Sequence, residues 1–198
     1  MAWKSWVEAL APIGIKLSKV EYCNYAGKTG TIIEDEISKR HGLKTQTGEL
    51  LAKKEAIMSG WVHSKKLPLM PDAMEAVGLC LQAGLKVVVA SSSPFDEMKT
   101  KLERSGIAKL FSSAVSSDDV KRGKPFPDIY ILAAKMLGLK PMDCAAFEDT
   151  RYGVEAAKSA GLLCFAVPGE FSARQDFSAA DKIFKRLYDA AAFAVEGV

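Results

Sequence analysis

Apolar residues recur along this chain at two different periods, and the change falls about a third of the way in. The first part carries helical spacing only. Trp3, Trp6, Val7 and Leu10 mark one face of an amphipathic helix that Pro12 and Gly14 stop. Thr31 and Glu34 stand at capping-box spacing and predict a second helix that closes at Gly42. A third helix is predicted from about Gly48 to Trp61, with Leu50, Ile57 and Trp61 on one face. The stretch HSKKLPLMP that follows is basic, proline-punctuated and free of periodicity, and reads as a hinge.

Beyond the hinge, short continuous apolar runs alternate with helical ones. A helix from about Pro71 to Ala83 ends at Gly84, and KVVVA has the β-branched look of a strand buried on both faces. Helix 94–105 is expected to start on Ser93 and Pro94 and to stop at Gly106. SSAVSS, CAAFE and LLCFAV are candidate strands, and DKIF is a last short one. Between and after them PDIYILAAKMLG, 151–160 and 185–195 are helical, the first two ending at Gly138 and Gly161. Such alternation specifies an α/β fold, a parallel sheet with crossover helices on both faces. The domains are expected to divide at the hinge, residues 1–66 as a helical unit and 67–198 as the α/β core.

Composition narrows the functional classes. The chain has 198 residues, 48% hydrophobic and 26% charged, as a folded globular protein requires. Its 27 basic and 24 acidic residues are interspersed, with no run suited to nucleic acid or a membrane surface. No apolar stretch approaches a membrane span of roughly 18–20 residues, and a cytoplasmic location is expected. Cys23, Cys80, Cys144 and Cys164 are far apart and read as thiols in a reducing compartment. His41 and His63 alone give a histidine metal site or a Ser-His-Asp triad almost nothing to build from.

Ligands of open α/β sheets bind beyond the carboxyl ends of the strands, so those ends can be inventoried. KVVVA is followed by Ser91, Ser92 and Ser93, SSAVSS by a loop that reaches Lys124, and CAAF by Glu148 and Asp149. Singly, each has a plain structural reading: a serine turn and cap, a turn lysine, an aspartate at a helix N-terminus. Together they pair carboxylates suited to Mg²⁺ with hydroxyls and an ammonium suited to a phosphate dianion.

The series VVVASSSP, RGKPFPDIY and FEDTRYGVEAAKSAG resembles motifs two, three and four of the haloacid dehalogenase superfamily of phosphohydrolases, and most nearly its β-phosphoglucomutase-like branch. The resemblance implies a Rossmann-like core with a helical cap, and a Mg²⁺-dependent phosphatase or sugar-phosphate mutase acting on a small phosphorylated metabolite. A monomer without nucleic-acid or membrane partners is expected. By the same resemblance Ser91 would hydrogen-bond the phosphoryl group, with Ser92 beside it, and Lys124 would neutralise it. Asp149 would bind Mg²⁺, with Glu148 acting through a metal-bound water. Lys28 and Thr29 in GKTG match the family's specificity loop; their plain reading is a loop before a helix with a solvent-facing lysine.

One part of the pattern is absent. The family's first motif, DxDGT, supplies the nucleophilic aspartate and the general acid, and no Asp-x-Asp occurs in this sequence. Glu34-Asp35-Glu36 is the nearest acidic cluster and reads as a solvated helix face. In the family the strand carrying that motif lies between those assigned here to 86–90 and 144–147. Its loss would leave buried backbone groups unpaired at roughly 1–3 kcal/mol each, against a stability of about 5–15 kcal/mol. The expectation is therefore a sequence read from an internal Met1, with roughly 15–25 residues preceding it. The alternative is a non-catalytic protein that binds a phosphometabolite or a partner and has lost the motif.

Overall fold

The computed structural model describes residues 1–64, 67, 69–70 and 72–197. Much of the predicted hinge, including Lys65, Lys66, Pro68 and Pro71 and with them the expected domain boundary, lies outside the described residues.

The first helices are α1 (Ala2–Leu10), α2 (Lys19–Tyr22), α3 (Gly30–His41) and α4 (Glu49–Ser64). They bury Trp6, Leu10, Leu17, Tyr22, Tyr25, Ile33, Ile37 and Leu50 in one apolar cluster. The short α2 carries no apolar period to predict it; Ser18 starts it by accepting the Glu21 amide at 3.1 Å. Two expectations here are corrected. The buried face of α4 is Leu50, Met58 and Val62, with Ile57 and Trp61 only half-buried. Nor does Glu34 form a capping box or lie on a solvated face. It is buried, and its carboxylate accepts the Gly48, Leu50 and Leu51 amides at 2.7, 2.8 and 3.4 Å. A charge from the middle of α3 thus satisfies the orphan donors at the start of α4, where the helix dipole also favours it.

The second part contains α5 (Ala73–Gln82), β1 (Val88–Ala90), α6 (Phe95–Arg104), β2 (Ser113–Val115), α7 (Asp128–Leu137), β3 (Ala145–Glu148), α8 (Arg151–Ala160), β4 (Leu163–Ala166), β5 (Lys182–Ile183) and α9 (Leu187–Glu196). All strand pairs are parallel. Side-chain alternation assigns the two faces. Val88, Ala90, Ala146, Cys164 and Ala166 share a cluster with Ile129 and Ala133 of α7 and Val154 and Ala157 of α8. Val87 packs with α5 and α9, and Phe147, Phe165 and Val167 with α9. Burying a side chain such as Ile129 or Val154 is worth about 1.5–3 kcal/mol. Among the described residues no helix is long and apolar enough to cross a membrane.

Among the described residues the strands do not join into one sheet. β1 pairs with β2, and β3, β4 and β5 form a second sheet, although α7 and α8 cover strands of both. The Ser91 amide bonds to Val115 and that of Leu163 to Cys144. Alternation then turns the backbone groups of Val88 and Ala90, and of Ala145 and Phe147, away from their paired neighbours. This corrects the expectation for KVVVA: Val87 to Ala90 are half-buried, not buried on both faces, because one edge of β1 pairs with no strand among the described residues. At the start of α6, Ser93 is not the cap residue; Pro94 holds that position, Ser93 donates to Glu97 at 2.8 Å, and Asp118 accepts the Phe95 amide at 2.8 Å.

Hydrogen exchange should report the open edges. The amides of Val88, Ala145 and Phe147 are expected to exchange at least tenfold faster than those of Val89 and Ala146, which face a paired neighbour. Equal protection on both sides would mean that these edges are paired in solution.

Candidate active site

Lys124 stands where the two sheets come closest in chemistry. Its ammonium donates to the Ala90 carbonyl at 3.1 Å, the carbonyl that β1 turns away from β2, and forms an ion pair with Glu148 at the end of β3. Tyr130, in the first turn of α7, donates its hydroxyl to the same carboxylate. Lys124 is 6% and Glu148 7% exposed, so this is a buried pair rather than a turn lysine in solvent. Burial, then the Glu148 charge, holds the Tyr130 phenol well above its ordinary pKa, so the hydroxyl stays a donor. Gly153 makes room for the pair: a Cβ there would collide with the Glu148 carboxylate.

Asp149 is placed differently. It is exposed at its own surface, but the protein around it is close enough that desolvation, and next the Glu148 charge, raise its carboxyl above the usual range, with Lys124 opposing. It does not cap α8. Thr150 does, accepting the Gly153 amide at 3.3 Å, which leaves the Asp149 carboxylate facing outward. Its backbone carbonyl accepts from the buried Ser172 hydroxyl.

Ser91 follows the carbonyl that Lys124 holds. Its hydroxyl accepts the Ser93 amide at 3.1 Å, so the turn-forming role is present, and one lone pair and the O–H remain for a ligand. Ser92 is half-buried beside it, without a side-chain hydrogen bond among the described residues. Ser91, Ser92, Lys124, Glu148 and Asp149 therefore gather at the carboxyl ends of β1 and β3.

Lys28 and Thr29 reach the same end from the helical part. Lys28 is largely buried, bonded to both Glu36 oxygens at 2.5 and 2.7 Å, and its ammonium lies 5.0 Å above the Tyr152 ring. It is not a solvent-facing lysine. Thr29 packs on Gly123, which has no space for a Cβ. Tyr22 is pushed to about 12 by burial and then by Asp149, which puts this residue of α2 within the electrostatic reach of the site.

Three participants escaped the sequence reading. Tyr130 looks like an apolar helix position, Ser172 like a loop serine, and Tyr152 like part of the run after Asp149. Only the spacing of Tyr130 from Lys124, onto the first turn of a helix that Pro127 and Asp128 start, could have suggested it. Among the described residues no three Asp, Glu, His or Cys side chains gather into a metal cage. The donors fit Mg²⁺ nonetheless, because that ion takes one or two carboxylates and fills its remaining positions with water and phosphate. Asp149 could ligate directly. Glu148, held by Lys124 and Tyr130, could act only through water.

Residues 24–161 match the family described as haloacid dehalogenase-like hydrolase, a span that includes each of Lys28, Thr29, Ser91, Lys124, Glu148 and Asp149. Over 140 residues, 69% of this chain and 60% of the relative, the sequence is 32% identical to protein CbbY of Rhodobacter capsulatus. Over 101 residues, 51% of this chain and 47% of the relative, it is 40% identical to the phosphorylated carbohydrates phosphatase of Thermotoga maritima. The matches thus span less than two thirds of these relatives' length. The fold is similar to that of a β-phosphoglucomutase from Clostridium difficile, with a TM-score of 0.84 at 16% identity, covering 99% of this chain and 88% of that one.

The ion pair can be tested for its own sake. Lys124→Met strands a buried carboxylate and is expected to cost about 3–5 kcal/mol in denaturant unfolding. The double variant with Glu148→Gln should recover at least half of that loss, since neither charge is then left alone. A double variant no more stable than the single one would show that Lys124 stabilises through packing instead.

Proposed function

Since the chain belongs to the haloacid dehalogenase-like hydrolases, we propose that it serves Mg²⁺-dependent phosphoryl transfer, as a phosphatase or sugar-phosphate mutase acting on a small phosphorylated metabolite. The observation that carries this reading is the pairing of a buried, tightly held Lys124 and Glu148 with an outward-facing Asp149 at one sheet end. The name of the Thermotoga maritima relative, a phosphorylated carbohydrates phosphatase, supports the sugar-phosphate class.

In this reading residues 1–66 are a cap and 67–198 the core. Lys124 neutralises a phosphoryl oxygen and keeps Glu148 in place, Ser91 and Ser92 donate hydroxyls to the phosphate, and Asp149 holds the metal. Bound Mg²⁺ would offset phosphoryl charge that one lysine leaves uncompensated. Lys28 and Thr29 line the cap side, where closure excludes water and selects the ester. No Asp-x-Asp occurs in the sequence, so none of these residues is assigned as the attacking carboxylate. The second reading, in which the motif is truly lost, is a protein that binds a phosphometabolite without turning it over.

Three measurements test these readings. Asp149→Asn is expected to weaken Mg²⁺ binding and, in a protein extended by a segment that supplies the Asp-x-Asp motif, to abolish most Mg²⁺-dependent phosphate release, because a neutral amide is a poor ligand for a hard cation. Activity that survives both this change and excess chelator would reject the metal assignment. A chain that binds Mg²⁺ and inorganic phosphate, yet releases none from a broad ester panel even when a segment carrying Asp-x-Asp is supplied ahead of Met1, would establish the binding reading. Exchanging Lys28 and Thr29 should shift which esters are accepted and leave Mg²⁺ affinity unchanged; an unaltered panel would remove them from the specificity loop.

A further inference from the structure

The loop between β4 and β5 belongs to both parts of the molecule at once. Phe171 packs against the helical cluster, its ring 5.5 Å from Tyr22 at 89° and 6.1 Å from Trp3, with the Lys19 ammonium 5.3 Å above it. Next to it Glu170 pairs with Lys19. One residue on, Ser172 turns the other way and donates to the Asp149 carbonyl, while its hydroxyl accepts the Gly169 amide at 2.9 Å. The loop is therefore fixed to the helical part by an aromatic ring and to the site by a hydroxyl.

Gln175 completes the bridge, its two amide protons used in one direction and its side-chain carbonyl in the other. Its side-chain carbonyl accepts the Arg151 amide at 2.9 Å, an orphan donor at the start of α8, two residues after Asp149. Its amide nitrogen donates to the Cys23 and Ala26 carbonyls at 3.0 and 3.1 Å. Those carbonyls lie just before Lys28 and Thr29. A primary amide is the side chain that suits this place, since a carboxylate could not donate and an ammonium could not accept.

We infer that Gln175 is a positioning residue that clamps the loop bearing Lys28 and Thr29 to the amino end of α8, and so sets where that loop stands above Asp149. The consequence for ester selection rests on the proposed role of Lys28 and Thr29. The clamp itself rests only on the two-sided hydrogen bonding.

The test separates the two sides by hydrogen exchange on the full chain without ligand. Gln175→Glu keeps the acceptor for Arg151 but sets a carboxylate against two carbonyls; Gln175→Leu removes both functions. With the glutamate, the Ala26 and Lys28 amides are expected to exchange about tenfold faster or more while the Arg151 amide keeps its wild-type rate. With the leucine, both sites should accelerate. Wild-type rates at Ala26 and Lys28 in the glutamate variant would overturn the clamp. So would equal acceleration at both sites there, which marks general loosening of the loop. Because the readout needs neither metal nor ester, the clamp can hold while the Lys28 and Thr29 panel fails, or fail while the panel succeeds.

Discussion

An ammonium buried between two strand ends must be neutralised where it lies, because moving it toward water would unmake the packing around it. Lys124 meets this condition with a carboxylate from β3, and it also meets a backbone carbonyl of β1 that no strand among the described residues takes. One side chain thereby links two sheets that share helices but no ladder. Its charge and that of Glu148 are each tolerable only in the other's presence. Tyr130 supplies a further donor to Glu148, and Gly153 leaves it the room. Asp149, the next residue along, is left with the outward direction.

This arrangement separates two carboxylates that the sequence presents as a pair. Glu148 is internal and committed; Asp149 is external and raised above its ordinary pKa by crowding and by its neighbour. Two adjacent acids at the end of a strand point to opposite sides of it by the alternation of the chain, so one can serve the interior while the other serves a ligand. The difference in role is thus a result of backbone geometry acting on two chemically similar groups.

Much of this was legible beforehand where local chemistry decides. The glycines that end α7 and α8, the apolar runs that become β3 and β4, and the serine, lysine and acidic residues after the strands all act within a few residues of their position in the chain. What escaped is what depends on distant partners. Glu34 looked like surface because its acidic neighbours are; only the location of α4 shows that its carboxylate closes that helix. Gln175 carries no local sign of its two-sided bonding, and Tyr130 shows only its spacing from Lys124. The open edges of β1 and β3 do not show in the apolar pattern, which reports the faces of a strand and says nothing of its hydrogen-bonding sides; it was the family resemblance that set a strand between these two. The Asp-x-Asp absent from the sequence bears on the chemistry of turnover.

The seat of Phe171 among Trp3, Tyr22 and Lys19 has a bearing on how such proteins can be recombined. The helical part draws an aromatic ring for its own interior from a loop encoded some 150 residues later. Its boundaries in space therefore differ from its boundaries in the gene. A chimaera that transplanted only the amino-terminal helices would carry a hole where that ring belongs and would leave Phe171 uncovered on the donor core. The unit of exchange is discontinuous, and the 169–175 loop has to travel with the helices it completes.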